Sequence, residues 1–120
     1  MANILVVDDA LIMQNILATM LEKAGHIVVG KAVNGLQALE MYITLKPDLV
    51  TMDIQMKGED GMSVLQKIIE LDPRAKVIMV SAVVHEMKED EARTMGAIGY
   101  ITKPFQAAEL IKQIQKALVD

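Results

Sequence analysis

Apolar positions along the chain fall into two alternating patterns. The first is a set of short runs rich in β-branched residues: Ile4-Leu5-Val6-Val7, Ile27-Val28-Val29, Leu49-Val50-Thr51-Met52, Val77-Ile78-Met79-Val80 and Ile98 to Thr102. Short continuous runs of this kind predict strands buried on both faces, as in a parallel sheet. Between them, apolar residues recur at helical spacing. A first helix is expected from about Ala10 to Ala24, with Met13, Ile16, Leu17, Met20 and Leu21 on its inner stripe and Gly25 as its stop. Asn34 is placed to cap a second, whose inner face is Ala38, Leu39, Tyr42 and Ile43 and which Lys46-Pro47 closes. A third holds Leu65, Ile68 and Ile69 and ends before Asp72-Pro73, and the last shows the clearest period in Leu110, Ile111, Ile114, Ala117 and Leu118. A fourth, roughly Glu86 to Met95, opens on the charged run Glu86-Met87-Lys88-Glu89-Asp90-Glu91 and has few apolar anchors. It reads as a solvated face, or as an element held loosely enough to shift. Five strands alternating with five helices predict a doubly wound α/β domain, with a five-stranded parallel sheet and right-handed crossovers, over residues 1–120.

Composition narrows the setting. With 120 residues there is room for one ordinary domain and a real core. The absence of cysteine removes disulfides and thiolate metal sites, as suits a reducing cytosol. No apolar run approaches the roughly 18 residues that a membrane span needs. The N-terminus carries no positive charge before Ile4 to Val7, which stop at two aspartates, so a signal peptide is not expected either. A cytoplasmic domain follows as the expectation. The net charge of −4 comes from scattered acids and bases, which excludes the basic face of a nucleic-acid binder. Tyr42, Tyr100 and Phe105 are the three aromatics, so the core must be aliphatic, with the ten methionines as adaptable filler.

In sheets of this class the functional crevice lies outside the carboxyl ends of the strands, where strand order reverses. The first predicted strand ends in Asp8-Asp9, the third in Asp53, the fourth in Ser81 and the fifth in Lys103. Singly, each has an ordinary explanation: Asp8 and Asp9 can cap a helix, and a strand-end Asp often forms a turn. Together, four of five strand ends would bring three carboxylates, a hydroxyl and an ammonium to one edge of the sheet. Three carboxylates repel one another, and a hard divalent cation such as Mg²⁺ relieves that repulsion while keeping sites for waters and a phosphate. One carboxylate could then act as nucleophile toward a phosphoryl donor, with Lys103 neutralising the transferring group.

These residues fall into an ordered set: Val6-Val7-Asp8-Asp9, Asp53 with Gly61 after it, Val80-Ser81-Ala82, and Lys103-Pro104-Phe105. Over essentially its whole length the chain resembles the receiver domains of two-component response regulators, and most closely the stand-alone CheY-like chemotaxis proteins. The resemblance implies the strand order 2-1-3-4-5 of the flavodoxin-like fold, for which CheY is itself a standard example. It implies that Asp53 is the phosphoacceptor, that Asp9 binds Mg²⁺ directly, that Asp8 holds it mainly through water, and that the Gln55 backbone carbonyl completes the protein ligands. Lys103 would pair with phosphoryl oxygens, Ser81 would be the switch hydroxyl, and Tyr100 would swing inward behind it. A cis peptide after Lys103 belongs to the same expectation. So do the partners: a sensor histidine kinase docking near the first helix, and a downstream protein target on the face of the fourth helix, fifth strand and fifth helix. Neither nucleic acid nor membrane is expected as a partner. The domain would be a monomer, with dimerisation on phosphorylation left open, and would turn over no substrate beyond its own phosphoryl group.

One departure stands out. Many family members carry Met-Pro after the phosphoacceptor, whereas here the run is Met56-Lys57-Gly58-Glu59-Asp60-Gly61. Loss of proline and gain of glycine predict a more flexible loop, with atypical metal affinity or phosphoryl lifetime. His26, just before a strand, is expected to be a partly exposed turn residue, and His85 a surface-loop histidine. Other readings remain open at this point. A receiver cut from a longer regulator, or a phosphorelay intermediate, would have the same sequence features. A Mg²⁺-dependent phosphohydrolase with an aspartyl nucleophile would place Asp-x-Asp after the first strand. A flavodoxin-like cofactor binder would show a hydroxyl- and glycine-rich loop where Asp8-Asp9-Ala10-Leu11 stands.

Overall fold

The apolar runs form a parallel sheet in the computed structural model, which describes residues 1–82 and 86–119, with Glu86 and Met87 in backbone only. His85 lies outside the described residues. In chain order the elements are β1 (Asn3–Val7), α1 (Leu11–Lys23), β2 (Ile27–Ala32), α2 (Gly35–Leu45) and β3 (Leu49–Asp53). A short hairpin of β4 (Gln55–Met56) and β5 (Glu59–Asp60) follows, then α3 (Gly61–Leu71), β6 (Val77–Ser81), α4 (Glu86–Thr94), β7 (Gly99–Thr102) and α5 (Ala107–Val119). The main sheet runs β2-β1-β3-β6-β7, all parallel. Without the hairpin, which the apolar pattern had no means to announce, this is the expected 2-1-3-4-5 order.

Strand burial follows position in the sheet. β3 and β6 are buried throughout and β1 from Ile4 onward, as runs without alternation require. β2 departs from that expectation. It is an edge strand, with Ile27 exposed and Val28 and Val29 half-buried, because it has a neighbour on one side only. Helices cover both faces. Leu17 and Leu21 of α1 and Leu110, Ile114 and Ala117 of α5 pack on Ile4, Val6, Ile78, Val80 and Ile101. On the other face, Ala38 and Tyr42 of α2, Leu65 and Ile68 of α3 and Ala92 of α4 pack on Leu5, Val50, Met52 and Met79.

The helix faces are narrower than their apolar spacing predicts. In α1 the buried side chains are Gln14, Leu17, Ala18 and Leu21, while Ile16 is exposed. In α2, Ala38 and Tyr42 are buried but Ile43 is 58% exposed. Asn34 caps α2 as expected, its Oδ1 accepting the Gln37 N–H at 2.8 Å. α4 is anchored by the buried Ala92, with Met95 just beyond it partly buried, and is otherwise highly charged. His26 corrects a second expectation. It is 8% exposed, and its Nδ1 accepts the Ala2 N–H at 3.1 Å, so it ties the start of β1 to the edge strand. Burial lowers its pKa, with the nearby N-terminal amino group acting in the same direction.

Candidate functional site

The strand order changes direction at β1 and β3, so the crevice of a doubly wound sheet opens between the ends of those strands. Register sets what stands there. Val7 pairs with Met52, and Asp53 with Val80, so Asp8, Asp9 and Asp53 emerge side by side. Ser81 pairs with Thr102, and the Lys103 N–H donates to the Ser81 carbonyl at 2.7 Å, which brings Lys103 in from the far side. Carboxylate oxygens of Asp8, Asp9 and Asp53 all lie within 4.8 Å of one another. Lys103 Nζ sits 3.0 Å from Asp8 Oδ2 and 3.7 Å from Asp53 Oδ2. The three carboxylates and the Lys103 ammonium thus stand together, with Ser81 at the end of the neighbouring strand.

Its electrostatics follow from burial. Asp53 is 5% exposed and its carboxyl is pushed up to about 6. Burial is the largest cause; Asp8 and Asp9 add to it, while Lys103 and the Gln55 N–H, 3.2 Å from Oδ1, oppose it. A carboxylate this disfavoured in its charged form is held beside two more acids, with the Lys103 ammonium, which leans toward Asp8, as the cation paired with it among the described residues. A divalent cation with oxygen ligands fits that donor set, because it supplies the positive charge that Lys103 alone does not.

The two aspartates after β1 have separate tasks. Asp8 Oδ1 accepts the Ala10 N–H at 2.9 Å, while α1 has no side-chain cap at Ala10. Asp9 is tied across the crevice instead, its Oδ2 accepting the Lys57 backbone N–H at 2.7 Å. That contact was missed from the sequence; the missing proline at 57 was its one signal. The loop expected to be looser is a two-residue hairpin with tethers at both ends, since Glu59 Oε1 accepts the Gly35 N–H at 2.6 Å. Gly61 follows directly, its N–H donating to the Ile54 carbonyl at 2.6 Å. A Cβ on Gly61 would collide with the Asp53 carbonyl oxygen, so glycine is required there by close approach and not by φ. Gln55 stands exposed beside Asp53.

Ser81 is fully buried, and Tyr100 is buried beside it in an inward position. The Tyr100 phenol is raised by burial and drawn back down by a hydrogen bond with Ser81, with Glu89 and Lys88 of α4 acting on it in opposite senses. The inward aromatic thus stands against Ser81 at the end of β6, within electrostatic reach of Lys88 and Glu89 of α4. The Lys103–Pro104 peptide is cis.

The model of the response regulator receiver domain matches residues 4–115. The chain belongs to the response regulator receiver domain family. This receiver domain is closely related to CheY chemotaxis proteins: it is 44% identical over 115 residues to that of Bacillus subtilis, covering 96% of each chain. It is 42% identical over 113 residues to that of Thermotoga maritima, covering 94% of each. Among solved structures, CheY in the CheX–CheY–BeF3–Mg²⁺ complex from Borrelia burgdorferi superposes with a TM-score of 0.95 at 31% identity, over 98% of this chain and 90% of that one. The response regulator domain of Thermotoga maritima CheB does so at 0.91 and 37%, over 98% and 96%. No helix among the described residues is long and apolar enough to cross a membrane.

Proposed function

We propose that this receiver domain, spanning residues 1–120, accepts a phosphoryl group on Asp53 from the phosphohistidine of a sensor histidine kinase. The acceptor switches a protein-binding surface in response and acts on no external substrate. The observation that carries the proposal is the convergence of Asp8, Asp9 and Asp53 within 4.8 Å, with Lys103 reaching in at 3.0 Å. Asp8, Asp9, Asp53 and the Gln55 carbonyl would hold Mg²⁺. The Borrelia relative, solved with Mg²⁺ and BeF3, supports that choice of ion. When bound, the ion neutralises charge on the phosphoryl oxygens.

The residues do the rest. With its carboxyl titrating near 6, Asp53 is ionised at neutral pH and available as nucleophile. A carboxylate oxygen attacks phosphorus, the phosphorus–nitrogen bond breaks, and the histidine leaves with its electron pair. Lys103, 3.7 Å from Asp53 Oδ2, is placed to turn from Asp8 onto the new phosphoryl oxygens. Ser81 would donate its hydroxyl to the same group, releasing its bond with Tyr100 and so biasing α4. Kinase docking at α1 is supported by the exposed Leu11 and Ile12 and by an apolar groove along Met13, Ile16, Met20, Pro104 and Phe105 beside the site. The output surface is the α4–β7–α5 face, and the setting is cytoplasmic.

Intact mass of wild-type protein and Asp53→Asn, incubated with a small phosphodonor and Mg²⁺, tests the proposal. A single base-labile phosphoryl group that requires Mg²⁺ and is absent from Asp53→Asn is the expected result. Phosphorylation that persists in Asp53→Asn, or a folded protein that neither binds Mg²⁺ nor gains mass, would overturn it.

A further inference from the structure

The β4–β5 hairpin turns on Lys57 and Gly58, and of these two Gly58 alone has positive φ, at 71°. Negative φ followed by a glycine at positive φ is the pattern of a type II turn, in which the first central position accepts proline readily. A proline there would have no N–H. This chain has lysine, and the N–H so gained points at Asp9 Oδ2 at 2.7 Å.

We propose that the Lys57 backbone amide is a positioning group for Asp9, holding that carboxylate in place as a metal ligand. This rests on the phosphoacceptor reading, in that it takes Asp9 as a ligand. The amide is itself held. Glu59 anchors the hairpin to the N-terminus of α2 through the Gly35 N–H at 2.6 Å, a place that favours a carboxylate. At the other end Gly61 clamps the hairpin to Ile54 through its N–H at 2.6 Å. Asp9 is half-buried and α1 has no side-chain cap, so the hydrogen bond from Lys57 fixes the direction of its carboxylate. One N–H uses one lone pair of a carboxylate that offers about four, so the remaining pairs stay available to a cation. Groups that orient a metal ligand in this way typically contribute about 10- to 100-fold to metal affinity.

The test separates the amide from the side chain. Lys57→Pro removes the N–H from a position that fits proline, whereas Lys57→Ala removes the ammonium and keeps the N–H. Mg²⁺ affinity by calorimetry should fall about tenfold in Lys57→Pro and stay within about twofold of wild type in Lys57→Ala. In the metal-free wild type, the Lys57 amide should exchange slowly with solvent, and Asp9→Ala should abolish that protection. Equal affinity in Lys57→Pro and wild type overturns the proposal. So does an equal loss in both variants, which would assign the effect to the side-chain charge. A Lys57 amide that exchanges as fast as a free turn amide in the wild type overturns it even if Lys57→Pro fails to fold. Wild-type protein that does not bind Mg²⁺ at all overturns the phosphoacceptor reading first, and this inference with it.

Discussion

Replacing Asp53 by asparagine should stabilise the metal-free protein, and by an amount that depends on pH. Asparagine keeps the shape and an acceptor oxygen for the Gln55 N–H at 3.2 Å, but removes a buried charge. The Asp53 carboxyl titrates at about 6 in the folded chain, chiefly because of burial, against about 3.9 in an unfolded one. A folded-state pKa raised in this way means that ionisation opposes folding. The penalty is absent well below pH 4, grows through the interval between the two pKa values, and is complete above about pH 7. Two units at 1.36 kcal/mol each set its plateau at roughly 3 kcal/mol, with about half of that present at pH 5. Urea or thermal unfolding of the two proteins in a metal chelator, from pH 4 to pH 8, measures the difference directly. Titrating groups remote from position 53 are common to both and cancel, whereas Asp8, Asp9 and Lys103 interact with Asp53 and contribute to the difference. At pH 8 Asp53→Asn should melt roughly 10 °C higher, taking about 4 °C per kcal/mol for a domain of this size, and the curves should converge toward pH 4. Mg²⁺ should then narrow the gap at pH 8, because a ligand at ten times its Kd adds about 1.4 kcal/mol to the form that binds it. A difference that does not vary with pH, or a wild type more stable than Asp53→Asn at pH 8, would refute the claim that burial strains this carboxylate.

Substitutions at three further positions test close packing beside Asp53 and two hydrogen bonds elsewhere in the fold. Gly61→Ala drives a Cβ into the Asp53 carbonyl and to 2.8 Å from the Ile54 Cα; rigid backbone should make this cost about 2–3 kcal/mol in urea unfolding and slow Asp53 phosphorylation, and a loss below about 0.5 kcal/mol would contradict it. Tyr42→Phe removes the hydroxyl that donates to Asp72 Oδ2 at 2.8 Å, so equilibrium unfolding should report a loss of about 1–2 kcal/mol; unchanged stability would mean that this bond contributes nothing net. Asn34→Ala uncaps α2 and should cost about 1 kcal/mol, whereas Asn34→Asp should restore most of it, and equal losses in both would point away from the cap.

Tertiary placement turns these local devices into a single site. The Gly35 N–H, for instance, belongs to α2 but is satisfied by Glu59, 24 residues later in the chain. α2, the hairpin and Asp9 are thereby linked through two hydrogen bonds to one short turn. On the far side of the crevice, Tyr100 is hydrogen-bonded to Ser81 and feels the charges of Glu89 and Lys88 of α4.

What the chain determines by itself is whatever depends on near neighbours. The β-branched runs, the cap at Asn34, the stops at Gly25 and Pro47 and the sparse apolar content of α4 are all local, and all appear in the fold. The strand ends were legible for the same reason: a residue that follows a strand must sit at the edge of the sheet, so Asp8, Asp9, Asp53, Ser81 and Lys103 could be named before their distances were known. What lies beside an element was not legible, because lateral neighbours come from distant parts of the chain. Edge placement leaves β2 half solvated, although its apolar run resembles that of β3. Packing of α1 and α2 on the sheet leaves Ile16 and Ile43 exposed, and the turn before β2 buries His26 against Ala2. The choice of lysine over proline at position 57 shows in the sequence as a side chain, but its consequence is a backbone N–H. Only the hairpin, folded across the mouth of the crevice, aims that N–H at Asp9, 48 residues away.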